Sequence, residues 1–272
     1  MKMRRLWAAI FYLLSSILFL LPACLATATP PPPPLVLKAA GSTSGGPLLA
    51  ALASAYSAQH PHVAFDIQGG GTQLGQSLVE AGRIDLGLVS WPPQNLPDHL
   101  RSIPIARDAV AIIVHPTNKI EGLSLAELQG IFGGRLLHWQ EVGGPARPIQ
   151  VISREDGSGT RAAFEAAVMD QMPVTPTAIV LPSSQAVIDF VGDNPAAIAY
   201  VSFAFVDENV YPVPIEGVAP SLESLADRSY PLSRDLAMIV LKQSQPELNQ
   251  FIDFVLSPAG QAILATKWAP VK

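Results

Sequence analysis

Three times along this chain a short apolar run ends in a glycine- and hydroxyl-rich loop, and a helical pattern follows at once. Val36 to Ala40 reads as a buried strand that runs into Gly41-Ser42-Thr43-Ser44-Gly45-Gly46. Pro47 then sits at a first-turn position, where a missing N–H costs nothing. Leu48, Leu49, Leu52 and Tyr56 recur on one apolar face of the helix this predicts. The second instance is the alternation Val63, Phe65, Ile67, followed by Gly69-Gly70-Gly71-Thr72 and a helix with Leu74, Leu78 and Ala81 on one face and Gly82 at its end. The third is Ile149 to Ile152, which leads through Ser153-Arg154-Glu155-Asp156-Gly157-Ser158-Gly159-Thr160 into a helix carrying Phe164, Ala167 and Val168. A further strand, Ile84 to Val89, stops at Ser90-Trp91-Pro92. Strands alternating with helices indicate an α/β fold with mostly parallel sheets. Residues 35–272 are enough for two lobes.

Ahead of this body lies a different kind of sequence. Lys2, Arg4 and Arg5 precede an apolar run from Leu6 to Leu21, the order of a signal peptide. The run is short for a membrane span, which needs roughly 20 residues. Two cleavage patterns follow it: Leu21-Pro22-Ala23-Cys24, like the lipobox of bacterial lipoproteins, which would lipidate Cys24, and Ala26-Thr27-Ala28, which suits ordinary signal peptidase. Pro30 to Pro34 should form a stiff extended spacer. Export is therefore expected, to the periplasm or the outer face of the cell membrane.

Composition narrows the function. With 17 basic and 22 acidic side chains the net charge is −5, which argues against a nucleic-acid partner. A single cysteine excludes an internal disulfide, and His60, His62, His99, His115 and His138 show no metal-ligand spacing. No metal or cofactor is expected. Gly157-Ser158-Gly159 is too tight for the Gly-x-Ser-x-Gly nucleophile elbow, and no nucleoside-triphosphate P-loop is present. Nothing calls for catalysis.

The glycine-rich loops suit an anion. A helix start presents unpaired N–H groups and partial positive charge, glycine lets a ligand approach the backbone, and hydroxyls add donors. In open α/β sheets ligands bind beyond the carboxyl ends of strands, where these loops lie. Each Ser or Thr taken alone is as well explained as an N-cap. Taken together, three helix ends and Arg154 supply roughly +2.5 charges, enough for a divalent oxyanion.

Several stretches resemble one known family, the periplasmic or lipid-anchored phosphate-binding proteins of the phosphate ABC transporter (PstS type). They are Ala40-Gly41-Ser42-Thr43, Gln68 to Thr72, Arg83-Ile84-Asp85-Leu86-Gly87, Ile131 to Gly134, Trp139 to Gly144, Pro231-Leu232-Ser233-Arg234 and, most specifically, Ser153 to Arg161. The resemblance implies a two-lobed, type II Venus-flytrap fold with the ligand in the cleft between lobes. Residues 1–24 would be the signal peptide, 25–34 a proline-rich linker, 35–112 with 200–272 one lobe, and 113–199 the other. Crossings are expected near Val110–Val114 and Tyr200–Ser202.

The same resemblance implies inorganic phosphate as ligand and a membrane ABC permease as partner, with the protein itself a monomer and not an enzyme. Its ligand set would be Thr43, Ser44, Thr72, Ser90, Arg154, Ser158, Gly159 and Thr160, with Asp156 holding Arg154 in place and Arg161 on the surface. Long-chain members carry an aspartate at the position of Ser90; that carboxylate accepts the proton of hydrogen phosphate and repels sulfate. Shorter members have serine followed by arginine, where this chain has Trp91. Sulfate or another oxyanion is therefore an alternative ligand, and a secreted phosphate-ester hydrolase using Ser158 or Thr160 an alternative function. Trp91 fits either the cleft mouth or the core.

Overall fold

A computed structural model describes residues 33–91, 95–118 and 120–271. The signal sequence, Cys24, most of the proline run and Pro92-Pro93 lie outside the described residues. The apolar runs become strands β1 (Leu35–Gly41), β2 (Val63–Gly70), β3 (Leu86–Val89), β4 (Leu100–Val114), β5 (Gln150–Arg154), β6 (Ile179–Leu181), β7 (Ala197–Ser202), β8 (Tyr211–Pro212) and β9 (Ser233–Leu241). Between and after them lie helices α1 (Gly46–Gln59), α2 (Thr72–Glu80), α3 (Leu125–Phe132), α4 (Gly159–Phe164), α5 (Ser184–Asp193), α6 (Leu222–Ala226), α7 (Pro246–Leu256) and α8 (Pro258–Leu264).

The strands form one nine-stranded sheet in the order β2-β1-β3-β9-β4-β7-β5-β6, with β8 on β4. Its two outer portions are parallel, β2-β1-β3 and β7-β5-β6, as strand–helix alternation predicts. The middle is antiparallel, because β9 runs back against both β3 and β4, and β7 against β4. The sheet is therefore mixed rather than mostly parallel.

The long strand β4 divides the molecule. Its residues Leu100 to Ala109 pair with β9, and Val110 to Val114 pair with β7. That change of partner falls between Ala109 and Val110. The expected return near Tyr200–Ser202 falls where β7 is still paired with β4. Just beyond it Ala204 touches the first section's core, but Val213, Ile215, Leu225, Tyr230 and Leu232 are buried in the second section's core with Phe132, Trp139 and Phe164. Pairing with the first section resumes only at Ser233. The first section has its own core, in which Leu48, Leu49, Leu52 and Tyr56 of α1 pack with Leu236, Met238 and Phe251.

Two helix faces differ from expectation. On α2 the buried residues are Thr72, Gly75 and Val79, while Leu74 is exposed. The cause is Gly75: a Cβ there would lie 2.6 Å from the Ala40 carbonyl oxygen and 2.8 Å from the Gly41 Cα. The helix thus sits directly on β1, closer than its leucine face would permit. After α4 the chain makes a π turn, Glu165–Met169. The extra residue in that turn leaves Ala167 exposed and buries Val168 and Met169 beside Phe164.

Candidate functional site

The loops after β1, β2 and β3 are tied together by backbone. The Ser42 N–H donates to the Leu88 carbonyl at 2.8 Å, and the Gly71 N–H donates to the Gly41 carbonyl at 2.9 Å. This holds Thr43, Ser44, Thr72 and Ser90 side by side at the carboxyl ends of parallel strands. Gly71 takes φ +89°, a conformation open to glycine, and a Cβ on it would stand 2.7 Å from the Gly157 carbonyl oxygen. The loop after β2 therefore abuts the loop after β5, and the two sections of the sheet meet there.

Across that meeting line the candidate residues join in pairs. Arg154 Nη2 donates to Thr43 Oγ1 at 3.2 Å. Thr160 Oγ1 donates to Ser44 Oγ at 3.4 Å. The Ser90 N–H donates to Thr72 Oγ1 at 3.1 Å, and the two hydroxyls lie 3.4 Å apart. Gly159 lies against both, so that a Cβ on it would collide with Thr72 Oγ1 and Ser90 Oγ. All eight residues expected from the sequence thus gather in one place, six of the side chains being buried: Ser44, Thr72, Ser90, Arg154, Ser158 and Thr160. Thr43 is half-buried. The Ser158 hydroxyl also caps α4, accepting from the Arg161 N–H at 3.3 Å, so the cap explanation holds for that residue as well.

Arg154 is 1% exposed, and a carboxylate other than the expected one holds it. Glu155 grips it in a fork, with Nε to Oε2 at 2.9 Å and Nη2 to Oε1 at 2.8 Å. Nε also donates to the Leu181 carbonyl, Nη2 to the Pro182 carbonyl and Nη1 to Ser184 Oγ, all from the segment entering α5. Asp156 instead points outward and pairs with Arg161 at 2.7 Å, its own side chain 95% exposed. Arg161 lies partly buried between Asp156 and Glu165 and donates to the Arg154 carbonyl at 3.0 Å. The helix-end and arginine charges summed from the sequence are thus partly countered by Glu155. Behind the arginine, Tyr200 OH lies 2.7 Å from Ser153 Oγ and accepts from the Arg154 N–H at 3.3 Å. Burial pushes the Tyr200 phenol up to about 12, so it stays protonated at neutral pH.

A second buried cation stands here that the sequence reading did not single out. Arg234, at the start of β9, pairs with Asp108 directly across on β4, Nη2 to Oδ2 at 2.7 Å and Nε to Oδ2 at 3.1 Å. Its Nη2 also reaches Ser44 Oγ at 3.4 Å. Two oppositely charged residues at the ends of apolar runs, Asp108 before Ala109 to Val114 and Arg234 before Leu236 to Leu241, were the available signal, and their pairing across 126 positions was not legible locally. Ser42 was missed too; its hydroxyl accepts from the Gly45 N–H and lies 3.0 Å from Ser44 Oγ.

Trp91 is partly buried. It packs against the second section's core and lines an open cavity of about 350 Å³ with Thr72, Gln73, Gln76, Gly157, Ser158 and Arg161. Among the described residues no cluster of His, Cys, Asp or Glu could hold a metal ion, and no helix is long and apolar enough to cross a membrane.

Comparison with known proteins matches residues 28–259 to the PBP superfamily domain. The phosphate-binding protein PstS of Bacillus subtilis is 28% identical over 229 residues, covering 81% of this chain and 75% of the relative. That of Pseudomonas aeruginosa is 27% identical over 248 residues, covering 80% and 77%. Among solved structures, a Clostridium perfringens protein assigned as a phosphate ABC transporter substrate-binding protein, with bound phosphate, superposes with a TM-score of 0.82 at 33% identity. It covers 87% of this chain and 100% of that one. An ABC-type phosphate transport receptor from Vibrio cholerae superposes with a TM-score of 0.75 at 29% identity, covering 86% and 99%.

Proposed function

This chain belongs to the PBP superfamily, as one of its PstS-type phosphate-binding proteins, and from that premise we propose that it captures inorganic phosphate in the cleft just described and delivers it to a membrane ABC importer. The observation that carries the site assignment is the gathering of Thr43, Ser44, Thr72 and Ser90 from one section with Arg154, Ser158, Gly159 and Thr160 from the other. Hydroxyls, backbone N–H groups and a guanidinium form a donor-rich wall, which is what a tetrahedral oxyanion requires.

On this reading one lobe comprises residues 35–109 and 233–271 and the other residues 110–232, hinged where β4 and β9 cross. Ligand binding closes the hinge and buries the anion. The leader exports the protein, Cys24 anchors it by a lipid, the proline run spaces it from the bilayer, and the body acts as a monomer that meets a permease. The hydrolase alternative lacks support in the geometry: Ser158 Oγ is engaged as a cap and Thr160 Oγ1 donates to Ser44, with no base bonded to either among the described residues. Calorimetric titration of the purified, ligand-stripped protein should give one phosphate site per chain. A folded sample without phosphate heat would remove the proposal.

The fork on Arg154 supports a paired prediction. Glu155→Ala frees the guanidinium from its bidentate partner and should weaken phosphate binding by about 10-fold, the size of one net hydrogen bond of roughly 1.4 kcal/mol. Asp156→Ala removes only an exposed ion pair and should change affinity by less than about 3-fold. Equal losses in the two variants would mean that Asp156 holds the arginine after all.

A further inference from the structure

The Asp108–Arg234 pair has two polar atoms to spare. Both side chains are almost wholly buried, at 0% and 3% exposure, yet among the described residues Asp108 Oδ1 and Arg234 Nη1 have no hydrogen-bond partner. Buried charged atoms without partners are costly, so such a pair beside a cluster of hydroxyls suited to an anion is a place where a bound group can satisfy both. Their position says what. Arg234 Nη2 bridges Asp108 Oδ2 and Ser44 Oγ, and Ser44 in turn accepts from Thr160. The carboxylate is therefore one guanidinium away from the hydroxyls of the oxyanion cleft.

We infer that Asp108, held by Arg234, is the specificity-determining residue of the cleft: its free Oδ1 accepts the hydrogen bond of a protonated oxyanion and repels one that has no proton, while Arg234 Nη1 donates to the anion. The inference rests on the phosphate reading and sharpens it. Near neutral pH phosphate carries a proton that it can offer to a carboxylate, whereas sulfate carries none. Ser90 cannot make that distinction, because a hydroxyl both donates and accepts. Discrimination by repulsion needs a fixed negative atom, and Asp108 is the fully buried carboxylate tied to this hydroxyl cluster. Arg234 balances its charge, which makes the burial tolerable. The arrangement also sits one pair before the β4–β9 ladder ends at Ala109 and Ser233, beside the boundary between the two sections.

The test is titration of the purified protein and two variants with phosphate and with sulfate, by calorimetry at neutral pH. The parent protein is expected to bind phosphate and to exclude sulfate. Asp108→Asn, which exchanges an acceptor oxygen for a donor, should lose phosphate affinity by 10-fold or more and gain measurable sulfate binding. Since a lone buried arginine can unfold the single variant, the double variant D108N/R234Q keeps the site neutral and is expected to have lost the preference for phosphate over sulfate. A role in folding alone would lower stability without changing that preference. If the folded variants keep both phosphate affinity and sulfate exclusion, or if the parent binds sulfate as well as phosphate, the inference is overturned. A parent that binds neither anion overturns the phosphate reading itself, and this inference with it.

Discussion

Replacing Arg154 by alanine is expected to remove phosphate binding at millimolar ligand while the protein stays folded. The guanidinium is 1% exposed and reaches over the loop after β1 to Thr43, so it stands at the junction of the two sections. Charge-assisted hydrogen bonds contribute about 1.5–3 kcal/mol each, and two of them to one oxyanion amount to a loss of roughly 10²- to 10⁴-fold. The substitution does leave Glu155 without its partner. That carboxylate is 34% exposed and can turn to water, which keeps the cost to folding small. Circular dichroism with calorimetry separates the two effects. Affinity unchanged in a folded Arg154→Ala protein would mean that the anion sits elsewhere.

The second large effect is expected from a single methyl group. In Gly159→Ala the new Cβ meets Thr72 Oγ1 and Ser90 Oγ, which belong to the opposite section. Its backbone is not in the left-handed region, so the helix itself can accept alanine. The strain thus arises only when the two sections come together. Overpacking of this kind costs about 1–3 kcal/mol, which by population shift lowers apparent affinity roughly 5- to 150-fold. Thermal unfolding of the ligand-free variant should change little, and its stabilisation by added phosphate should shrink. Wild-type affinity in Gly159→Ala would show that the cleft need not close this far to hold its ligand.

These two residues were legible in the sequence for different reasons. Arg154 and Gly159 lie in one continuous stretch, Ser153 to Arg161, whose glycine, hydroxyl and charge pattern after an apolar strand is local information. So are Thr43, Ser44 and Thr72, each at the start of a helix. Strand–helix alternation likewise foretold β1, β2, β3 and β5 and the helices that follow β1, β2 and β5. What local pattern could not carry was closeness between distant segments. The buried face of α2 turns on Gly75, whose missing side chain counts only because β1 lies beneath it. Asp108 and Arg234 look like ordinary charges on strand edges until the antiparallel register of β4 and β9 sets them opposite each other. The fork on Arg154 came from Glu155 rather than Asp156 because β5 continues through Arg154 and aims the next residue back along the guanidinium, while Asp156 has already turned outward. The late return of the chain to the first section reflects Val213, Ile215, Leu225, Tyr230 and Leu232, which found their partners in the second core.

Position 90 ties these findings to function. A serine there supplies a buried hydroxyl to the wall that Thr72 also forms and against which Gly159 packs. On the inference drawn above, the negative atom that would separate phosphate from sulfate comes from another strand, as Asp108 of β4.

The most direct test of the whole account is a crystal structure of the protein grown with phosphate. The expected result is a single tetrahedral anion between Arg154 and the hydroxyls of Thr43, Ser44 and Thr72, with Ser90, Gly159 and Thr160 closing around it. An anion bound only in the open cavity beside Trp91, or a folded protein with no anion between the two sections at saturating phosphate, would contradict it.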